Sequence, residues 1–594
     1  MKLLRVVFCC CILLVGCSVV QQPVTLSADQ ALAQVITQEH TFRTQTDPLS
    51  YPDYAKNNTL LPDLSAATLA ANNASVTKLY QQLKKIPKQQ LSQANQINWA
   101  VMAYNLKNEL DSYRFNEYYM PLTSESGFHV DISFIGQQVD FKKAQDYQAY
   151  LSRLSELPRY FEQQMYWMKQ GIASGITQPK VVLAGFEQSI AAYIKKDPKT
   201  SVYYQPFITM PSSIDPAEQE KLRARAVQLI TKAVYPSYHK YYQFMVNDYR
   251  PHARTTIAAS ALPNGAEYYQ NRVDYYTTLK LTANEIHQLG LKEVARIHQQ
   301  MLKIIQKVGF KGDFASFIKF LRTSPQFYAK TPDELLKDAA YIAKKMDGKL
   351  PSLFKTLPRN TYGVAPVPAN IAPKYTTGRY SPPARDDQAG SYWVNTYRLD
   401  RRPLYVLEAL TFHEAVPGHH LQGAIAREMK DVPEFRKNTY ISAFGEGWGL
   451  YAEFLGIEAG FYQDPYSQFG RLTYEMWRAC RLVVDTGMHS EGWSRERAIN
   501  YLASNTALSM HNVHTEIDRY ISWPGQALSY KMGELTIKGL RKKAATVLGE
   551  QFDLREFHDQ ILKNGSMPLT MLTQVINHYI MEKQQKILKT KPAK

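Results

Sequence analysis

The residues of this chain best equipped for chemistry lie in the stretch Thr411-Phe412-His413-Glu414-Ala415-Val416-Pro417-Gly418-His419-His420. An imidazole beside a carboxylate, with two further imidazoles within seven residues, is the material of a zinc hydrolase. In such sites histidines hold the metal, and the Glu next to the first histidine takes a proton from water. His413 is therefore the first expected ligand and Glu414 the expected general base. The spacing departs from the common His-Glu-x-x-His arrangement, because the residue four after His413 is Pro417, which cannot bind a metal. Pro417 has no N–H for the carbonyl of His413 and its ring clashes there, while Gly418 tolerates almost any backbone angles. The pair predicts an interrupted helix with a wide turn. On an unbroken helix His420 would sit about 10.5 Å farther along the axis than His413. That is awkward for one ion with Zn–N bonds of about 2.0–2.1 Å. A bulge of two residues lets His419 act as the second ligand. His420 is the alternative, or a group that hydrogen-bonds substrate.

Further blocks are Gly390-Ser391-Tyr392-Trp393-Val394-Asn395-Thr396, Phe444-Gly445-Glu446-Gly447-Trp448-Gly449-Leu450-Tyr451-Ala452-Glu453 and Trp523-Pro524-Gly525-Gln526-Ala527-Leu528-Ser529-Tyr530. With the His413 block they resemble the bacterial family called domain of unknown function 885, which carries a His-Glu-Ala-x-Pro-Gly-His-His signature. The resemblance covers most of the mature chain and is strongest from Gly390 to Met532. That family is in turn similar to gluzincin metallopeptidases of the thimet oligopeptidase and angiotensin-converting enzyme types. Their Phe-His-Glu-Phe-Gly-His stretch can be laid on Phe412-His413-Glu414 and Gly418-His419 with two extra residues here, which also implies His419. A catalytic zinc commonly has three protein ligands and an open position. The resemblance of Glu446-Gly447-Trp448 to the Glu-Asn-Trp of thimet-type enzymes implies Glu446 as the third. Glu453, two helical turns on along the same face, is the alternative, or it orients a ligating histidine. The likeness also implies Tyr530 as the group that steadies the oxyanion, although in a chain with 40 tyrosines a packed core tyrosine is the competing reading. Asp485 and His489 stand one helical turn apart. They are either a structural pair or a support for the site, with His489 reaching a substrate carbonyl.

These groups need elements to hold them. Residues 65 to 350 are patterned mostly as helix. Thr282-Ala283-Asn284-Glu285 is a capping box that opens an apolar run through Ile286, Leu289, Val294, Ile297, Met301, Ile304 and Ile305, ending near Gly309. Thr331-Pro332-Asp333-Glu334 starts another helix, with proline at its first position. Six prolines between Leu357 and Asp387 predict loops and short strands. Ser391 to Thr396, rich in strand formers, is either a packed hairpin or an edge strand able to hold a peptide by main-chain hydrogen bonds. Helix resumes afterwards, and the last one follows Ser566-Met567-Pro568-Leu569. The expected fold is mainly α, a large helical zincin-like architecture with a small β-sheet beside the metal-binding helix and a central cleft. The expected organisation is a lipoprotein signal peptide over 1–16, a tether over 17–45, an N-terminal helical region over 46–270 and a C-terminal catalytic region over 271–594.

Lys2 and Arg5 precede the apolar run Val6 to Val15, and Leu14-Val15-Gly16-Cys17 has the form of a lipobox. Cleavage before Cys17 and lipid on its sulfur would tether the protein to a membrane of the cell envelope. Ser18 after the lipidated cysteine suggests the periplasmic face of an outer membrane. Of five cysteines, four lie in or at the end of the signal, Cys17 carrying the lipid, and only Cys480 lies in the mature body, which leaves no intrachain disulfide and no thiolate metal site. With 594 residues, 45% apolar and 21% charged, the chain is globular and large enough for one or two domains. Its formal charge of +17 is scattered apart from a short basic tail, Lys586 to Lys594. That argues against nucleic acid and suits a surface near anionic lipid or cell-wall polymer. The expected activity is zinc-dependent hydrolysis of peptide bonds, in short peptides by resemblance. The alternatives are hydrolysis of another amide or a cell-wall peptide, and a non-catalytic binding lipoprotein that keeps the fold. Oligomeric state is not encoded in any of these features.

Overall fold

The structure, a computed structural model, describes residues 26–51, 59–369, 371–385 and 387–590. The expected signal peptide and Cys17 lie outside the described residues. Much of the expected tether does not. Ala28–Thr46 is a helix, opened by a capping box in which Ser27 and Gln30 satisfy each other's backbone N–H groups. It buries Leu32 and Val35 against Val76, Leu79 and Leu83 of Ala66–Lys85 and against Leu106 of Gln93–Arg114. The folded chain thus begins before residue 45. Among the described residues, no helix is long and apolar enough to cross a membrane.

The protein is mainly helical, with one three-stranded sheet. Its principal apolar core is continuous from Leu61 to Ile580 and crosses the expected boundary near residue 270 without a break. The seven helices that concern the site are α1 (Ala283–Lys307), α2 (Leu407–Glu414), α3 (His419–Arg427), α4 (Ser442–Glu458), α5 (Pro465–Ser490), α6 (Met510–Ser522) and α7 (Ser529–Leu548). The Thr282–Glu285 capping box is formed. The helix it opens buries Ile286, Val294, Ile297, Met301, Ile304 and Ile305, and the chain leaves it through Gly309 at φ +67°. Thr331 likewise caps Pro332–Asp347.

A buried ionic cluster joins three of these helices. Lys531 on α7 is fully buried, and its ammonium lies 3.0 Å from Glu293 of α1, 2.9 Å from Glu475 of α5 and 2.6 Å from Glu534 of α7. A buried charge is tolerable only when paired this closely. The cluster therefore sets the relative placement of α1, α5 and α7, and with it the neighbouring Tyr530.

The sheet comprises β1 (Tyr362–Pro366), β2 (Gly378–Ser381) and β3 (Gly390–Val394), in the order β1-β3-β2. β1 runs parallel to β3, and β2 antiparallel with Tyr380 opposite Tyr392. The segment expected as a possible edge strand, Ser391 to Thr396, is instead central and paired on both sides. The edge beside α2 and α3 is β2. Asn395 N–H donates to the Thr377 carbonyl, so by the alternation of an antiparallel ladder the main-chain groups of Gly378 and Tyr380 turn outward.

Candidate metal centre

Helix α2 stops at Glu414, ahead of Pro417, which has no N–H to give the His413 carbonyl. The chain passes Ala415 at φ −94°, ψ −109° and restarts as α3 at His419. A wide turn replaces the helical ladder: His420 N–H donates to the Ala415 carbonyl at 3.1 Å, five residues back. Gly418 makes the close crossing possible, since a Cβ there would meet the His413 carbonyl oxygen at 1.9 Å. The indole N–H of Trp448 on α4 donates to the Pro417 carbonyl at 2.8 Å and fixes the turn against that helix.

The turn separates the two neighbouring histidines. His419 comes to His413, with ring centroids 4.7 Å apart and planes nearly perpendicular. His420 is buried on the other side, its Nδ1 3.1 Å from the Tyr380 hydroxyl and its ring against Tyr362. Glu446 of α4 completes the group. Its Oε2 lies 3.4 Å from His413 Nε2 and 3.4 Å from His419 Nε2, and one donor atom from each of the three residues lies within 4.8 Å of the others. Ligands about 2.0–2.1 Å from a tetrahedral zinc stand about 3.3–3.4 Å apart. Two imidazoles and one carboxylate at these separations suit that ion.

Glu453 takes the other nitrogen of the same imidazole: its Oε1 is 2.8 Å from His413 Nδ1. Glu446 and Glu453 are seven residues apart on one face of α4 and so bracket the ring of His413. Gly449, between them, leaves room for it; a Cβ there would come within 2.8 Å of the ring. Glu414 is buried, and its Oε2 accepts the outward N–H of Tyr380 at 2.8 Å. The edge strand thereby orients the carboxylate beside His413. Burial disfavours a charged His413, but hydrogen bonds to Glu446 and Glu453 and the charge of Glu414 outweigh it, and the pKa is raised to about 10. Burial likewise opposes the Glu446 carboxylate, yet hydrogen bonds from His413 and His419 hold its pKa well below the usual range. Two imidazoles among three carboxylates draw in positive charge, which a proton on His413 or a cation between the donors would supply.

Residues 49–576 match the family described as bacterial protein of unknown function, DUF885. The chain belongs to this family. The crystal structure of "the putative lipoprotein from Colwellia psychrerythraea" is similar along 94% of this chain and all of that one, with 28% identity and a TM-score of 0.87. A "putative lipoprotein of unknown function from Shewanella oneidensis" shares the fold, with 16% identity and a TM-score of 0.68 over 93% of this chain and all of that one. No curated protein matches the chain.

In this DUF885 protein the three donors and Glu414 line a cavity of about 600 Å³ together with Tyr530. Tyr530 is on α7, its ring 6.2 Å from that of His413, and its hydroxyl accepts from Arg519 at 3.2 Å. With that lone pair engaged, the phenolic hydrogen is directed elsewhere. His489, in contrast, does not reach the cavity. Both of its ring nitrogens are taken by backbone: Nδ1 accepts from Ala259 N–H at 2.9 Å, and Nε2 donates to the Tyr520 carbonyl at 3.0 Å. Nor does it pair with Asp485, which accepts from the Tyr269 hydroxyl and from Gly525 N–H. The expectation that His489 contacts substrate is corrected accordingly: α5 faces it into a packed junction, where it pins other segments. Sequence reasoning passed over the Tyr380 N–H, Gly449 and the arginines of the cavity wall. Only Gly449 left a local sign, in the alternating Gly445-x-Gly447-x-Gly449 pattern around Glu446.

Proposed function

We propose that this protein is a zinc-dependent hydrolase of peptide bonds with the working parts of a gluzincin, acting on short peptides. The observation that carries the reading is the convergence of His413, His419 and Glu446 at ligand spacing, with Glu414 fixed beside them on the same cavity wall. His413, His419 and Glu446 would hold the metal. Glu453 sets the ring orientation and tautomer of His413, as an outer partner of a metal-ligating histidine does. Bound zinc supplies Lewis acidity toward the scissile carbonyl and makes water more acidic.

The rest of the chemistry belongs to the chain. Glu414 accepts the proton of the attacking water and returns it to the leaving nitrogen. Tyr530 donates its phenolic hydrogen to the carbonyl oxygen as charge develops there, a contribution of about 2.7–4 kcal/mol in comparable oxyanion sites. The outward main-chain groups of Gly378 and the outward carbonyl of Tyr380, whose N–H is held by Glu414, pair with the main chain of an extended substrate, in the strand-addition mode. A cavity of about 600 Å³ admits a short segment of chain and excludes a folded protein. The Leu14-Val15-Gly16-Cys17 lipobox and the lipoprotein description of the Colwellia protein support attachment to the cell envelope through lipidated Cys17.

The test is cleavage of a mixed peptide library by the zinc-loaded protein and by Glu414→Gln. The amide cannot accept the proton, so Glu414→Gln is expected to keep its zinc and lose about 10²–10⁴-fold in turnover. Equal turnover by the two proteins would show that Glu414 is not the base. A zinc-loaded wild type that cleaves nothing would end the hydrolase reading.

A further inference from the structure

The proposed hydrolysis makes no use of the arginines in the cleft wall. Arg478, Arg481 and Arg519 line the metal-bearing cavity, and each is more than nine-tenths buried. Two carboxylates answer these three charges. Glu453 lies 3.6 Å from Arg478, and Glu516 lies 2.8 Å from Arg481 and 3.8 Å from Arg519. Glu453 is shared with His413. Each guanidinium retains nitrogen atoms without a hydrogen-bond partner: Nε and Nη1 of Arg478, Nη1 of Arg481 and Nε of Arg519. The rings of Trp477 and Tyr530 cover part of the surface that a carboxylate would otherwise meet.

A fourth guanidinium lines the same cavity. Arg379 is on β2, immediately before the residue whose N–H holds Glu414. It lines the metal-bearing cavity and also a second cavity of about 660 Å³, and the two share Thr376, Arg379, Tyr380 and Pro382. Arg379 retains exposed surface there and lies over the Tyr375 ring at 5.3 Å. Among the described residues no carboxylate lies within 4.0 Å of it. Glu125, the carboxylate whose charge bears on it most, is beyond that distance. Arg478, Arg481 and Arg519 thus share two carboxylates, both already engaged, while Arg379, exposed toward the cavity, has no carboxylate within ion-pair distance among the described residues. Buried positive charge in excess is costly unless an anion answers it, and the planar fork of a guanidinium matches a carboxylate with two parallel hydrogen bonds.

We propose that this wall is a carboxylate-binding subsite in which Arg379 contacts the substrate anion and Arg478 and Arg519 supply supporting charge, so that the preferred substrates are short peptides carrying a free carboxylate near the cleaved bond. The proposal rests on the peptide reading above. The carboxylate has two chemical sources, the C-terminus of the peptide or an Asp or Glu side chain.

Binding to the Glu414→Gln protein tests the subsite without requiring turnover. Three matched peptides are titrated by calorimetry: a neutral sequence ending in a free acid, the same sequence amidated, and an amidated version with one Glu. At least one carboxylate-bearing peptide is expected to bind about 10–100-fold more tightly than the neutral amide. Arg379→Gln in the same background is expected to remove most of that advantage while leaving the neutral amide unaffected. Preference for the free acid assigns the C-terminus, and preference for the Glu peptide assigns the side chain. Equal binding of all three, binding of none, or a preference that survives Arg379→Gln overturns the proposal. Hydrolysis is judged separately. Equal cleavage of acids and amides by the wild type would keep hydrolysis and overturn the subsite. Carboxylate-dependent binding without any cleavage would keep the subsite and overturn hydrolysis.

Discussion

His419 and His420 are adjacent in sequence but face opposite surroundings, because the turn at Pro417 and Gly418 restarts the helix between His413 and them. One reaches His413 and Glu446; the other packs on Tyr362 and Tyr380. Metal affinity should therefore separate them. With a competing chromophoric chelator, His419→Ala is expected to lose zinc far more readily than His420→Ala. Glu453→Gln should fall between the two, at about 10–100-fold weaker binding, the usual cost of losing an outer partner. Greater metal loss from His420→Ala would contradict the placement. At this scale much was legible from residue chemistry. Proline alone does not end a helix, since Ala144–Ser174 runs on through Pro158; the interruption followed from Pro417, which has no N–H for the His413 carbonyl, together with the permissive Gly418, and two extra residues pointed to His419. His489 was not legible. Its one-turn spacing from Asp485 is real, since α5 runs on to Ser490, but the partners that occupy its ring come from segments more than 30 residues away in either direction.

Helix α4 is the element that organises the centre. It presents Glu446 and Glu453 to the two nitrogens of one imidazole and keeps Gly449 between them as clearance. Gly449→Ala places a methyl against the His413 ring, although alanine would otherwise favour the helix by about 1 kcal/mol. The expected result is weaker zinc binding with helical content unchanged by circular dichroism. Unaltered affinity would show that the ring has room that the 2.8 Å approach does not suggest. Helix starts were readable where the signal is local: Thr282 with Glu285, and Thr331 with Pro332. The same kind of local signal, Ser27 with Gln30, opens the helix Ala28–Thr46 where a tether is expected. The order of the sheet could not be read locally, because it depends on pairing between β1 and β3, separated by a proline-rich connection. The strand with the strongest strand composition became the central one, and the edge beside Glu414 fell to Gly378–Ser381.

At the scale of the whole molecule, the continuous core buries titratable groups whose protonation should govern acid stability. Burial pushes the pKa of His129 to about 3, of His489 to about 4 and of His558 to about 3. Depressed folded values mean that their contribution is intact above the unfolded pKa of about 6.5 and is lost as pH falls toward 4 and 3. Asp485 acts oppositely. Burial raises its pKa to about 7, so its contribution is complete below the unfolded value near 3.8 and is lost as pH rises through 7. With His420, whose pKa burial also lowers to about 4, four histidines stand against Asp485 and leave a net loss on acidification, each net proton worth about 1.4 kcal/mol per pH unit. Denaturant melts are expected to shift to lower midpoints between pH 6.5 and 4, with Asp485→Asn steepening the fall. A midpoint that rose over that interval would contradict the assignment. The cleft lies within this one continuous body, where α2, α3, α4, α7 and β2 meet. The claim that makes it an active site is that His413, His419 and Glu446 bind zinc. Elemental analysis of protein purified without chelator and then offered zinc tests that directly. About one zinc per chain is expected, retained in Glu414→Gln and lost in His413→Ala; a wild-type chain that remains free of metal would contradict the assignment.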